Sequence, residues 1–151
     1  MQDSIKPAAK AQDIVVMLDE NGLVTITPSQ IDNGSTDNCS IVSIALSKSN
    51  FDCSNIGGNV VYLMVTDASG NKDSMSAVVT IQDTTKPMVL AQSMVAFLDA
   101  TGQVTIMSAE IDRGSSDNCG MSTLVLSKSS FDCSNLGTNP VYLIVTDVNG
   151  N

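Results

Sequence analysis

Ile31–Cys53 reads IDNGSTDNCSIVSIALSKSNFDC, and Ile111–Cys133 reads IDRGSSDNCGMSTLVLSKSSFDC. The second stretch is the first displaced by 80 positions, with neither insertion nor deletion. Each holds a polar, glycine-containing loop, a cysteine, an alternating apolar run, a turn and a second cysteine. Between Asp19–Asn71 and positions 99–151, 31 of 53 aligned pairs are identical. A constant period with that much identity reads as tandem copies of one unit rather than a single fused domain. The expected boundaries are 1–82 and 83–151. A unit of this size buries only roughly 60% of its unfolded surface, so each copy has a small core.

The flanking segments repeat as well. VVYLMVTD (60–67) returns as PVYLIVTD (140–147), the longest strand signal in each copy. Its alternation directs Val61, Leu63 and Val65 to a core and Tyr62 and Thr66 to the other face. Met75, Ala77, Val79 and Ile81 alternate inward in the same way. QDIVVML (12–18) and QSMVAFL (92–98) read as strands, followed by turns DENG and DATG and by LVTIT and QVTIM. That pattern predicts a hairpin in each copy. A further strand is expected over 41–47 and again over 121–127. Pro140 fits only a strand start or an edge. DSIKP (3–7) and DTTKP (83–87) read as extended junctions, since the residue before proline avoids helix. No segment has helical periodicity.

Six or seven short strands per copy, separated by turns, predict an all-β chain of two tandem immunoglobulin-like antiparallel β-sandwiches. The second copy contains no counterpart of 72–81, so it is expected to lack its last strand. An unpaired edge would remain there, open to pairing with another chain.

The formal net charge is −9, with seven Lys and Arg and no His. Nucleic-acid binding needs clustered cations, so that partner class is excluded, as is an anionic membrane surface. No apolar run approaches the 18 residues of a membrane span, which argues against insertion. MQDSIKPAAKAQD at the N-terminus has no apolar signal core. Met1 is therefore expected to be an artificial start, with targeting signals elsewhere in a longer parent chain. Without Trp, the core must be built mainly from Val, Ile, Leu and Met.

Cys39, Cys53, Cys119 and Cys133 keep a 14-residue separation within each copy. Four cysteines allow three pairings. If each unit is self-contained, the repeat favours Cys39–Cys53 and Cys119–Cys133. With no C-x-x-C and no His, zinc is the weaker reading. A loop of this size contributes roughly 3 kcal/mol in the chain-entropy model. Disulfides would place the protein outside the cytosol.

Absence of His removes Ser-His and Cys-His nucleophile pairs, and the repeated acidic residues lie in turn motifs. An enzyme is not expected. Asp67, Ser69, Asn71 and Asp73 place oxygen-bearing side chains at alternate positions, as hard-cation loops do, although no EF-hand Glu follows. Asp37 and the junction residue Asp83 could join them, with Asp117 and Asp147 as second-copy counterparts, making calcium the candidate cation. The plainer reading is a polar turn between strands. Tyr62 and Tyr142 could face a sugar, or pair across the sheet.

FDCSNLGTNPVYLIVTDVNGN (131–151), DRGSSDNCG (112–120) and DTTKP (83–87) together resemble the hyalin-repeat and immunoglobulin-like modules of giant cell-surface proteins from gliding, Bacteroidetes-type bacteria. The resemblance covers essentially both copies. Such repeats often carry a further cysteine near the last strand, where this chain has Ser76-Ala77-Val78. The resemblance implies an adhesin segment, gliding-motility adhesins included, exported by the type IX system to the cell surface. Asp-Ser and Asp-Thr sites at Ser4, Ser74 and Thr84 match the O-glycosylation pattern of such bacteria. The expected function is a structural spacer or stalk whose partners are neighbouring repeats of its own chain. The rival is a module that binds a surface glycan or protein directly through its loops.

Overall fold

The computed structural model describes residues 3–151. It divides into two compact units, Met1–Asp83 and Thr84–Asn151, and the fold is all-β. The helical pieces are single turns of three or four residues.

In the first unit, β1 (Ile14–Met17), β6 (Lys72–Gln82), β5 (Gly57–Asp67) and β3 (Ile41–Leu46) form a four-stranded sheet in that order. A second pair joins β2 (Leu23–Thr25) to β4 (Asn50–Asp52). β5 and β6 are both 11 residues long and pair antiparallel, with Val61 opposite Ala77 and Leu63 opposite Met75. Their alternation delivers Val61, Leu63, Val65, Ala77, Val79 and Ile81 to the core, each at most 3% exposed. Leu18, Ile26, Ile31 and Phe51 close that core from the other elements. Met75 departs from the expected inward pattern: it is exposed, and its sulfur accepts the Ala11 N–H at 3.3 Å.

The expected hairpin over 12–27 does not form, although its turn does. The Asp19 carboxylate accepts the N–H groups of Asn21 and Leu23, and Gly22 takes a positive φ of 72°. The flanking strands then separate. β1 pairs with β6, in parallel, whereas β2 pairs antiparallel with β4. Leu18 and Ile26 are both buried, and their N–H groups go to Gln82 and Ser49. Two apolar strands that both need core contact do better facing one another across it than side by side in one sheet.

Between β2 and β3 lies the four-residue helix α1 (Pro28–Ile31). Proline suits a first helical turn, Gln30 accepts the Thr27 N–H at 2.7 Å, and the turn buries Ile31. One turn is too short to leave a periodic signature.

The second unit repeats the local pattern with β7 (Gln103–Thr105), α2 (Ser108–Ile111), β8 (Met121–Leu126), β9 (Ser130–Asp132) and β10 (Leu143–Asp147). β7 pairs with β9 and β8 with β10. No strand forms over 92–98, contrary to the sequence expectation, and β10 begins six residues later than its counterpart β5. Both departures share one cause. In the first unit these segments are held by β6, and a strand without a ladder partner has nowhere to place its backbone hydrogen bonds.

The cysteines also correct the sequence reading. Cys53 and Cys119 are disulfide-bonded, while Cys39 and Cys133 carry free thiols. The pairs Cys39–Cys53 and Cys119–Cys133 are therefore not formed. Cys39 leads into Ile41, which lies opposite Asp67 at the end of β5, whereas Cys53 leads into Gly57 at its beginning. Along an 11-residue strand that separation is roughly 30 Å at about 3.3 Å per residue. A disulfide needs Cα atoms within about 7 Å. A short spacing in sequence thus hides a separation of nearly the whole unit.

Candidate functional site

Three carboxylates, those of Asp3, Asp37 and Asp67, gather at the Cys39 end of the first unit. Asp67 terminates β5 and its carboxylate organises the DASGN turn. Oδ1 accepts the N–H of Ser69 and of Asn71, each at 2.8 Å, and Oδ2 accepts Asn71 Nδ2 at 2.7 Å. Gly70 completes the turn with a φ of 89°, a region that favours glycine. Asp67 is only 1% exposed.

Asp37 belongs to the loop before β3. Its Oδ2 accepts the N–H groups of Cys39 and Ser40 at 2.9 and 3.0 Å, and its Oδ1 is buried without a hydrogen-bond partner. Asp3 comes from the N-terminal segment, which is docked by Asn71 Nδ2 donating to the carbonyls of Asp3 and Ile5. Asp3 accepts from the Ile5 N–H and from Asn38 Nδ2. One oxygen of each carboxylate lies within 4.8 Å of the other two.

Hydrogen bonding keeps Asp3 and Asp67 ionised in this setting. The Ile5 N–H is the main influence holding Asp3 below the ordinary carboxylate range. For Asp67, burial pushes upward, but the side chain and N–H of Asn71 and the N–H of Ser69 outweigh it, and the net shift is down. The same carboxylates act on Cys39. A hydrogen bond to Asp3 and the negative charge of Asp3, then of Asp37 and Asp67, raise its thiol pKa.

The residues 80 positions on, Asp83, Asp117 and Asp147, also bring one carboxylate oxygen each within 4.8 Å of the other two. Asp147 accepts the N–H of Asn149 and of Asn151 at 2.8 Å, and Asn151 Nδ2 at 2.8 Å. Asp117 accepts from Cys119 and Gly120, and its Oδ1 is buried without a hydrogen-bond partner.

Of the expected calcium ligands, Asp37 and Asp67 come together in the first copy and Asp83, Asp117 and Asp147 in the second. Asp73 belongs to neither group of three carboxylates, and Ser69 and Asn71 surround Asp67 as hydrogen-bond donors. Ser69 gives its N–H to Asp67, Asn71 gives its amide to Asp67, and Asp73 accepts the Ala9 N–H at 2.9 Å. The same alternation supplies the hydrogen bonds of one turn. Asp3 was missed as a member, although its alignment with Asp83 in DSIKP and DTTKP was visible in the sequence.

An all-oxygen group of this kind has the chemistry of a hard-cation site. Its hydrogen bonds also account for it as turn architecture. Tyr62 and Tyr142 are 51% and 70% exposed, with Tyr62 opposite Ser76. Ser4, Ser74 and Thr84 are all exposed. Among the described residues no helix is long and apolar enough to cross a membrane. No family model matches the chain, and no curated protein matches it in sequence.

Proposed function

We propose that this chain is a spacer of an extracellular surface protein, two immunoglobulin-like sandwiches in tandem that supply reach and stiffness rather than chemistry. The observation that carries the reading is repetition at the level of atoms. Eighty positions on, the same turns, the same single-turn helix and the same three-carboxylate group recur. Selection for one ligand site gives no reason to keep a whole unit twice, whereas length is gained by repeating a unit. Disulfide-bonded Cys53 and Cys119 support an oxidising compartment. The acidic composition supports a solvated surface.

Binding to a glycan array discriminates this function from direct adhesion. A spacer binds nothing above background, and saturable binding abolished by substituting Tyr62 or Tyr142 would establish the adhesive alternative.

The same reading assigns the carboxylate groups to calcium, on the support of Asp37 Oδ1 and Asp117 Oδ1, buried acceptors without a protein donor. Occupied, the group of Asp3, Asp37 and Asp67 would tie the N-terminal segment of the first unit to the adjoining loop and turn. Millimolar calcium should raise the melting temperature of the chain, and Asp37→Asn should abolish that rise. An unchanged melt removes calcium from the proposal and leaves the spacer.

A further inference from the structure

We infer that the outward face of the four-stranded sheet in the first unit is an interaction surface, and that its occupant is the same face of a second copy of this chain. The alternation that buries Val61, Leu63, Val79 and Ile81 sends their neighbours to the opposite side. There Val15, Met17, Val60, Tyr62, Met64 and Val78 stand on three adjoining strands, each between 40% and 61% exposed. Together they leave roughly 600 Å² of mostly apolar surface in water, the upper end of what a typical monomer exposes as one patch. Face to face, two such patches would remove roughly 1,200 Å², which reaches the range of specific interfaces.

The repeat supplies an independent observation. Eighty positions on, Val95, Phe97, Pro140, Tyr142 and Ile144 occupy the places of Val15, Met17, Val60, Tyr62 and Met64. Three of the five residues have changed, and each remains apolar. By contrast, Ile5 and Leu23, exposed away from this face, give way to Thr85 and Gln103. An exposed side chain without a partner is free to become polar, so the restriction to apolar residues marks a face that is covered in use.

Charge and relief favour a second copy as the cover. Of the residues that the four strands direct outward, Lys72 at the end of β6 is the one with a charge, although the chain carries −9. At the border of the face, the Asp13 carboxylate accepts the Val78 N–H at 2.7 Å. A copy that approaches by its other surfaces meets like charge, and by this face it does not. The relief is also self-complementary. Val60, Tyr62 and Met64 form a ridge along β5, and beside it β6 presents a furrow, with Ser76 opposite Tyr62 and Ser74 opposite Met64. A two-fold axis parallel to the strands, between β5 and β6, places the ridge of each copy over the furrow of the other. The inference does not depend on the spacer reading, since it concerns the surface of one unit.

Analytical ultracentrifugation of the whole chain over a concentration series tests it, with radical oxidation of methionine as the footprint. Cys39 and Cys133 are first alkylated, so that no crosslink forms between copies. The chain should dimerise in the micromolar range. Met17 and Met64 should oxidise at least threefold more slowly in the dimer, with the exposed Met107 of the second unit unchanged. Tyr62→Glu on the ridge and Ser76→Glu in the furrow should each weaken dimerisation at least tenfold, and Leu23→Gln should not. Circular dichroism establishes that each variant is folded, and either of the two Glu variants suffices. The inference is overturned if the chain stays monomeric at about 1 mM. It is overturned equally if Met17 and Met64 oxidise at the same rate in the dimer, if a folded Glu variant dimerises as before, or if Leu23→Gln weakens the dimer as much.

Discussion

Leu63 and Leu143 are the same residue at the same place in two copies, and their environments differ by one strand. Leu63 is 0% exposed beneath the β5–β6 ladder, while Leu143 is half-buried. Truncating a fully buried Leu to Ala costs about 2–5 kcal/mol, made up of lost transfer energy and the cavity left behind. We expect about 3 kcal/mol for Leu63→Ala. At Leu143 part of the side chain already meets water and no closed cavity results, so about half that cost is expected. For a unit of this size 3 kcal/mol corresponds to a melting shift of roughly 12–24 °C. Hydrogen exchange read by mass spectrometry assigns each loss to its own unit, which a global melt does not. Equal losses in the two variants would show that β6 does not complete the core, and the account of the open second unit would fail with it.

Three further expectations follow from the local geometry. Stability should be level at neutral pH and decline in acid. Asp67 and Asp147 have folded pKa values below the ordinary 3.8, so the stability they lend is complete above that range and is lost as pH falls through their folded values; a pH series of urea midpoints measures this. Native alkylation should label Cys39 and Cys133 but reach Cys53 and Cys119 only after reduction. Cys39 should react several-fold faster in Asp3→Asn, because Asp3 is the main cause of its raised thiol pKa; identical rates would remove Asp3 from that role. Gly102→Ala should cost more than Gly114→Ala. Both glycines have positive φ, 78° and 96°, but a Cβ at Gly102 would lie 2.8 Å from Cys133 Sγ while one at Gly114 meets open space. Left-handed strain alone costs about 1–2 kcal/mol. Cys133→Ala should recover the excess in urea denaturation.

Strand identity was legible wherever alternation ran long. Val61, Leu63 and Val65, and Ala77, Val79 and Ile81, face the core as their period of two requires. Pairing was less legible, because alternation assigns a face and not a neighbour. LVTIT was read as the partner of 12–18, yet β2 lies against Phe51 and Asp52. Parallel pairing of Ile14 with Val79 joins residues 65 positions apart, with no turn to announce it. At the candidate site, Asp37 and Asp67 stood out as turn residues. Asp3 did not, because its role depends on Asn71 drawing a distant segment into place. The cysteines misled for a related reason: 14 residues can span a unit as readily as close a loop.

Since the two sulfurs of a copy lie at opposite extremities, no internal crosslink props up an individual β unit. Its fold rests on apolar packing, ladder bonds and the side-chain hydrogen bonds of its turns, and those are indifferent to the surrounding redox potential. A copy of this design can therefore reach its native shape while still bathed in reductant, before any oxidant is met.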